Sequence, residues 1–180
     1  MLMHPLIAAA LLLLAVSSPV SSNHPTAGAP LPLPQGYRFP TDADRTHEWA
    51  ASKKAGPTPF HARADIDGDG RDDDAWILVS TQGPGWGLFV YLNTSSTERS
   101  AFALDQNRGD VPAQSVGLRV VPKGSYKTGC GKGRWHCDQG EPKSLRLKHP
   151  AIDFFGAAGK SSYIWWDART MKLVRTRMSD

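Results

Sequence analysis

The 180-residue sequence is poor in cysteine and glutamate, and it lacks the short motifs that mark common catalytic sites. It has two cysteines and three glutamates, and neither G-x-S-x-G nor H-E-x-x-H occurs. Two cysteines are too few for a disulfide-rich scaffold or a four-cysteine zinc site. The missing motifs exclude the serine hydrolases and zinc proteases that depend on them. These absences leave a binding protein, a structural protein, or an enzyme whose catalytic residues follow no known short motif.

Long hydrophobic runs are scarce, because the run at residues 6–16 (LIAAALLLLAV) has only eleven residues. A membrane-spanning helix needs about 20 residues, so this run is too short to cross a bilayer. Small residues follow it, and a cut after Ser22 would leave Val20 and Ser22 at the positions that signal peptidase inspects. No lysine or arginine precedes the run, although signal peptides usually begin with a positively charged region. The alternative to a signal peptide is that the run forms a buried helix of the fold. We expect residues 1–22 to be a signal peptide and the mature protein to be periplasmic or secreted, with no membrane span.

The two cysteines, Cys130 and Cys137 in CGKGRWHC, agree with export. Two thiols at this separation fit one local disulfide in an oxidising compartment. A zinc site would need about four ligands, and only His136 stands beside the pair. Loop entropy gives so small a ring about 2 to 3 kcal/mol at most. We expect the disulfide to fix a loop and not to hold the whole fold together.

After the signal peptide, the chain divides into a proline-rich leader and one β-rich domain. The leader, residues 23–40, carries five prolines and little periodic pattern. The domain, residues 41–180, is expected to begin with one short helix over about residues 42–54. Thr41 and Asp44 have the spacing of a capping interaction, acidic residues stand in the first turn, and lysines stand in the last.

The remainder of the domain shows short apolar runs separated by glycine- and proline-rich connectors. No long amphipathic helix is present that could support a parallel sheet. We therefore predict a mainly β (α+β) fold, a single small antiparallel β-domain with a curved sheet or partial barrel and one short N-terminal helix. The predicted strands cover residues 60–64, 75–80, 87–93, 116–121, 144–148, 151–155, 161–166 and 172–178.

Charge is distributed unevenly along the chain, although the formal net charge is only +4. Residues 65–74 contain six aspartates and one arginine, whereas residues 111–180 contain thirteen lysines or arginines and five acids. A basic face on an exported protein could meet an envelope glycan, an anionic lipid or an acidic protein, and a solvated surface is the alternative. No nucleic-acid-binding motif accompanies these cations, so nucleic acid is not an expected partner.

The acidic stretch has the spacing of a calcium-binding loop. In DIDGDGRDDD, acids occupy relative positions 1, 3, 5 and 9, and glycine occupies position 6, where such a loop turns sharply. Oxygen ligands without histidine favour calcium over zinc, and the number of groups favours calcium over magnesium. The expected ligands are the carboxylates of Asp65, Asp67, Asp69 and Asp73 and the main-chain carbonyl of Arg71.

The loop departs from a helix–loop–helix site at its end. Position 12 is Trp76, where an EF-hand has a bidentate glutamate, and the strand-like AWILVS follows. Another group must complete the coordination shell. We therefore expect a calcium dissociation constant of about 10⁻⁴ to 10⁻³ M, the range of extracellular calcium-binding modules. A metal-free turn is the alternative, but it does not account for acids at every odd position from 65 to 69. We expect Asp72 and Asp74 to point outward into solvent.

The stretch ADIDGDGRDDDAWILV resembles the loop-then-strand unit of FG-GAP and VCBS-type repeat proteins, whose calcium lies between two strands. Those proteins carry several copies in a propeller, whereas this sequence has one. Over about residues 60–180, the loop, the CGKG…C segment and the ending AIDFF…SSYIWWD…LVRTRMSD are similar to small, uncharacterised exported proteins of Gram-negative bacteria. A thinner similarity is to periplasmic immunity proteins and lysozyme inhibitors with an Asp-rich calcium loop. The resemblance implies a calcium-binding, exported protein.

Candidate catalytic groups are few. Outside the acidic loop, Glu141 and Asp153 are the carboxylates that a hydrolase could use. Single histidines occur in the domain, but the sequence around them matches no known arrangement of catalytic residues. We therefore expect a protein that is not an enzyme. The alternatives are a cell-envelope (peptidoglycan) hydrolase and a structural envelope protein.

Tryptophans offer candidate partner anchors. Trp86 lies at a predicted hairpin tip and Trp135 lies inside the disulfide loop, where an exposed ring could anchor a protein or glycan. Trp76 and one of the pair Trp165 and Trp166 are expected in the core, because adjacent strand residues face opposite sides. We predict a non-catalytic binding module, such as an inhibitor or immunity protein against a cell-envelope-targeting enzyme, held by one calcium ion and one disulfide.

Overall fold

The structure, a computed structural model, describes residues 31–44, 60–94, 99–109, 111–156 and 159–179. The predicted signal peptide and most of the predicted helix lie outside these residues. Mainly antiparallel β-structure is confirmed. No helix of the described ranges is long and apolar enough to cross a membrane. The strands are β1 (Tyr37–Arg38), β2 (His61–Ala64), β3 (Asp73–Ser80), β4 (Trp86–Leu92), β5 (Ser100–Asn107), β6 (Val116–Val121), β7 (Gly124–Lys127), β8 (Ser144–Leu147), β9 (Ala151–Gly156), β10 (Ser161–Asp167) and β11 (Lys172–Ser179).

The strands form two larger sheets and one two-stranded sheet. In the first sheet, β4 lies between β3 and β5, while β1 and β2 both pair with the other edge of β3. The second sheet has the order β11-β10-β9-β6, and β7 pairs with β8 alone. All pairs are antiparallel, and none of the three sheets closes into a barrel over the described ranges. The predicted antiparallel β-domain is therefore built from three sheets.

The two larger sheets pack face to face around the main core. Strands β2 and β3 contact β6, and apolar side chains from both sheets form one buried cluster. Strand β4 is buried along its whole length. Leu88 and Val90 belong to the cluster between the sheets, whereas Phe89 and Tyr91 belong to a cluster on the opposite face. Because side chains alternate along a strand, both faces of β4 must be covered.

The outer faces of the sandwich have their own covers. Residues 31–39 run along the edge and outer face of the first sheet: residues 37–38 pair with β3 as β1, and the side chains of Leu31, Tyr37 and Phe39 pack on the outer face. The rings of Phe39 and Trp76 meet there with centroids 4.9 Å apart. The β7–β8 hairpin lies over the second sheet and contributes Leu145 and Leu147 to a second apolar cluster. The order of layers is therefore leader segment, first sheet, second sheet and hairpin.

The start of the predicted helix is a 3-10 turn, Asp42–Asp44. Asp44 accepts hydrogen bonds from the main-chain N–H and the hydroxyl of Thr41, at 2.7 and 2.9 Å. The guanidinium of Arg38 donates two hydrogen bonds of 2.7 Å to the same carboxylate and holds the pKa of Asp44 well below its ordinary value. The capping interaction is thus present, and residues 45–54 of the predicted helix lie outside the described residues.

Candidate metal centre

The aspartate-rich loop connects β2 to β3 in the first sheet. These strands pair from His61 opposite Trp76 to Ala64 opposite Asp73, so residues 65–72 form a strand-to-strand connection. Gly68 has a φ of +82°, a conformation that glycine adopts without steric cost. The side chain of Ile66 is fully buried in the main core. An apolar anchor within the loop therefore fixes where its aspartates lie.

Three carboxylates of the loop converge. One carboxylate oxygen from each of Asp65, Asp67 and Asp73 lies within 4.8 Å of the other two. Oxygens at this separation can contact one cation, because calcium–oxygen distances are about 2.3 to 2.6 Å. Asp65 and Asp67 are partly exposed, whereas Asp73 is fully buried. The structure therefore contains an acidic triad that could hold a metal ion.

Main-chain N–H groups orient the triad. Asp65 accepts hydrogen bonds of 2.8 and 3.1 Å from two glycine N–H groups of the loop. Asp73 accepts a 2.8 Å bond from the N–H of Ile66 and a 2.9 Å bond from the N–H of Asn93, which follows β4. Each carboxylate oxygen has two lone pairs, so these bonds leave capacity for a metal ion. Asp73 is consequently both a candidate ligand and a link between β3 and the end of β4.

Asp69 is not part of the converging group, although the sequence predicted it as a ligand. Its carboxylate accepts a 2.8 Å hydrogen bond from the N–H of Arg71 and forms an ion pair with the guanidinium of the same residue. That guanidinium also donates to the main-chain oxygens of Asn93 and Thr94, at 2.7 and 2.8 Å. The side chain of Arg71 thus ties the loop to the end of β4. The ligand role of the Arg71 carbonyl stays a prediction.

The expectation that Asp72 and Asp74 both point outward is wrong for Asp74. The side chain of Asp72 is 56% exposed. Asp74 is 7% exposed, lies 2.7 Å from the imidazole of His61 and accepts a 2.8 Å hydrogen bond from Arg99. Burial opposes ionisation, but these partners hold the pKa of Asp74 below its ordinary value. Its neighbour Asp73 faces the opposite side of β3, so the two carboxylates have separate roles.

His149 packs directly against the loop at Gly68. A β-carbon at Gly68 would lie only 2.1 Å from Cε1 of the imidazole. His149 stands between β8 and β9, so this contact joins the loop to the second half of the domain. Sequence reasoning missed the contact, because the two residues are far apart in the chain and neither local pattern refers to the other.

Repulsion and burial disfavour the ionised triad. Burial, together with the neighbouring Asp67 carboxylate, raises the pKa of Asp73 to about 6, although its two N–H donors lower it. Burial also raises the pKa of Asp67, and the charges of Asp69 and Asp65 add to this effect. A bound divalent cation would favour the ionised carboxylates and so act against both shifts.

We expect the protein in chelator to lose stability as the pH rises from 4 to 7. The pKa of Asp73 is about 6 in the folded state and about 3.9 in an unfolded chain. The folded state therefore holds the proton more tightly, and the resulting stabilisation is complete below about pH 4 and is lost as the pH rises through about 6. The loss is about 3 kcal/mol at most. Urea unfolding at the two pH values measures it, and Asp73→Asn should reduce the difference; an undiminished difference in that variant would contradict the assignment.

The predicted disulfide is confirmed between Cys130 and Cys137, whose Cα atoms are 4.9 Å apart. Within this loop, the indole N–H of Trp135 donates to both carboxylate oxygens of Glu141 at 3.1 Å. The guanidinium of Arg177 lies 4.1 Å from the centroid of the ring. Trp135 is therefore fixed in place yet partly exposed, and its role as a partner anchor stays a prediction.

Trp86 does not offer an exposed ring to a partner. It is 5% exposed and belongs to the main core. Its ring packs against Phe154 of the second sheet, with centroids 5.4 Å apart. The sequence predicted an exposed ring because Trp86 follows a turn. Trp86 is instead the first residue of β4, and its side chain points inward between the sheets.

The two carboxylates considered for a hydrolase have local partners. Asp153 is fully buried and accepts hydrogen bonds of 2.7 Å from Nε of Arg119 and 2.6 Å from the hydroxyl of Ser161. Glu141 binds the indole of Trp135 and the N–H of Asp138. Each carboxylate therefore has hydrogen-bond partners within the fold.

Comparison with known proteins gives no assignment of function. No protein family, curated protein or solved structure matches the chain. The function is therefore inferred from the geometry of this chain.

Proposed function

We propose that this protein is an exported, calcium-stabilised β-domain that acts as a non-catalytic binding module, namely an inhibitor or immunity protein against a cell-envelope-targeting enzyme. The observation that carries the proposal is the convergence of Asp65, Asp67 and Asp73 at the start of β3. The disulfide supports export, because such bonds persist in oxidising compartments.

Calcium is the ion that best suits the triad. The converging group consists of carboxylates only, without cysteine or histidine. Hard oxygen ligands select calcium or magnesium over zinc. Asp65 and Asp67 are partly exposed, which leaves room for water and for the Arg71 carbonyl in a shell of six to eight oxygens. Such a shell, without a bidentate glutamate, suits an ion that is permanently bound at extracellular concentrations.

The loop closed by the disulfide supports a binding role. Trp135 is fixed by Glu141 and Arg177 in a loop closed by the disulfide. Loops that are already ordered lose less entropy when they meet a partner. Exposed cations around this loop would steer an acidic surface toward it. These cations are Lys127, Lys132, Arg134, Lys143 and Arg146.

The proposal is tested by capture from an envelope extract on the immobilised protein, with calcium or with a chelator. We expect a lytic enzyme to be retained only with calcium, and its activity to fall to zero at one equivalent of added protein. Trp135→Ala should weaken capture, whereas Trp166→Ala would report on core damage alone, because Trp166 packs against the main core. Turnover of muropeptides by the protein itself, lost in Asp153→Asn or Glu141→Gln, would replace the proposal with the hydrolase alternative.

A further inference from the structure

A groove of about 810 Å³ crosses the outer face of the second sheet, away from the acidic loop. Trp165 of β10 and Val174 of β11 lie opposite each other in register and line it. Residues 138–142, which follow the disulfide loop, line it as well. Volumes of about 300 to 1,000 Å³ are typical of sites for small ligands.

Trp165 gives the groove a partly exposed aromatic surface with a fixed orientation. Its indole N–H donates a 3.0 Å hydrogen bond to the hydroxyl of Thr176 on β11. Its ring also packs against the apolar cluster under the β7–β8 hairpin. Because the N–H is already bonded, the ring offers a ligand apolar contact rather than a polar one. A flat aromatic ring packs well against the C–H face of a pyranose.

The polar groups that line the groove carry both signs. Four arginines and three acids line it. The charge of Arg175 is matched by Asp105, which lies 2.6 Å from its guanidinium, so the formal charges of the other six groups cancel. These six are Arg146, Arg169, Arg177, Asp138, Glu141 and Asp167.

This mixture of signs selects the class of ligand. A polyanion would meet Asp138, which is 84% exposed, and a polycation would meet Arg169, which is 90% exposed. A hydroxyl group both donates and accepts, so it can bind a guanidinium and a carboxylate at once. A ligand with many hydroxyls and no charge is therefore complementary to walls that carry both signs.

We propose that this groove binds a short, uncharged oligosaccharide, whose sugar face packs on Trp165 and whose hydroxyls bond to the charged walls. The inference goes beyond the proposed function, because it requires neither the metal ion nor an enzyme partner. It also assigns the arginines around Trp165 a role in binding a ligand, and this role does not depend on a net positive charge.

The test is a titration of the calcium-loaded full chain with chitotriose and with cellotriose, followed by calorimetry and by the NMR signal of the Trp165 indole N–H. We expect saturable binding of at least one trisaccharide at millimolar concentration, with a shift of that signal. The affinity should change less than twofold between low and high salt, because uncharged ligands are not screened. No binding of either trisaccharide would overturn the proposal, as would tighter, salt-sensitive binding of an oligoglutamate peptide.

Two matched variants locate the site. Arg169→Ala should weaken trisaccharide binding about tenfold, the effect of losing hydrogen bonds from a charged donor. Arg108→Ala removes an exposed arginine that follows β5 outside the groove and should leave binding unchanged. Trp165→Leu should abolish binding, with its unfolding midpoint measured as a check on folding. An equal loss in the Arg169 and Arg108 variants would overturn the assignment to the groove, even if capture of an enzyme partner succeeds.

Discussion

Replacing Asp73 by alanine is expected to abolish calcium binding and to lower the free energy of unfolding of the calcium-loaded protein by about 4 kcal/mol. The substitution removes the buried member of the triad. It also leaves the N–H groups of Ile66 and Asn93 without their acceptor, at about 1 to 3 kcal/mol for each buried donor. Urea unfolding in millimolar calcium and calorimetric titration with calcium measure the two effects.

Three further variants separate the contributions. Asp73→Asn keeps an acceptor oxygen, so it should lose calcium binding with a smaller loss of stability. Asp72→Ala should change the free energy of unfolding by less than about 0.5 kcal/mol, because the side chain is 56% exposed. Asp69→Ala should retain most of the calorimetric heat of calcium binding, because Asp69 pairs with Arg71. If Asp73→Ala bound calcium with the same calorimetric heat as the wild type, the triad would not be the metal site.

Gly68→Ala is expected to destabilise the protein by about 1 to 3 kcal/mol more than Gly70→Ala. Both glycines have positive φ, +82° and +88°, so alanine meets the same backbone penalty of about 1 to 2 kcal/mol at each. The surroundings differ, because a β-carbon at Gly68 would lie 2.1 Å from the His149 ring, whereas nothing lies within 4 Å at Gly70. Urea unfolding of the two variants, with calcium present, gives the difference directly.

The double variant Gly68→Ala with His149→Ala provides the control. Removing the imidazole relieves the overlap, so adding His149→Ala to Gly68→Ala should cost less than adding it to the wild type. The remaining penalty of Gly68→Ala should then approach that of Gly70→Ala. Equal effects of Gly68→Ala and Gly70→Ala in the presence of His149 would show that the ring moves aside without cost and that the contact is not structural.

The sequence predicted the strands that carry dense apolar runs, such as β3, β4 and β9. It missed β5 (SAFALDQN) and β7 (GSYK), which contain no β-branched residues and in which half of the residues are exposed and half are partly buried. Pairing was harder to foresee than strand position. Strand β6 pairs with β9 and not with its neighbour β7, and a pairing between segments so distant in sequence leaves no local signal.

At the candidate site, the regular spacing of aspartates was sufficient to predict the loop and three of its converging carboxylates. The spacing could not show that Asp69 would pair with Arg71, or that Asp74 would be buried between His61 and Arg99. Those outcomes depend on partners supplied by other strands. The disulfide was predictable, since only one pairing of two cysteines exists.

The segment over the first sheet has a consequence for the order of folding. Residues 31–39 leave the ribosome before β3 and β4, yet they pack on a surface that those strands must form first, made by Leu78 of β3 and the rings of Phe89 and Tyr91 of β4. The hydroxyl of Tyr91 donates a 3.0 Å hydrogen bond to the main-chain oxygen of Pro32, which secures this cover. Residues 31–39 are therefore synthesised first, but they can pack onto the sheet only after β3 and β4 have formed. Until it closes, an aromatic surface stays open to chaperones and to self-association.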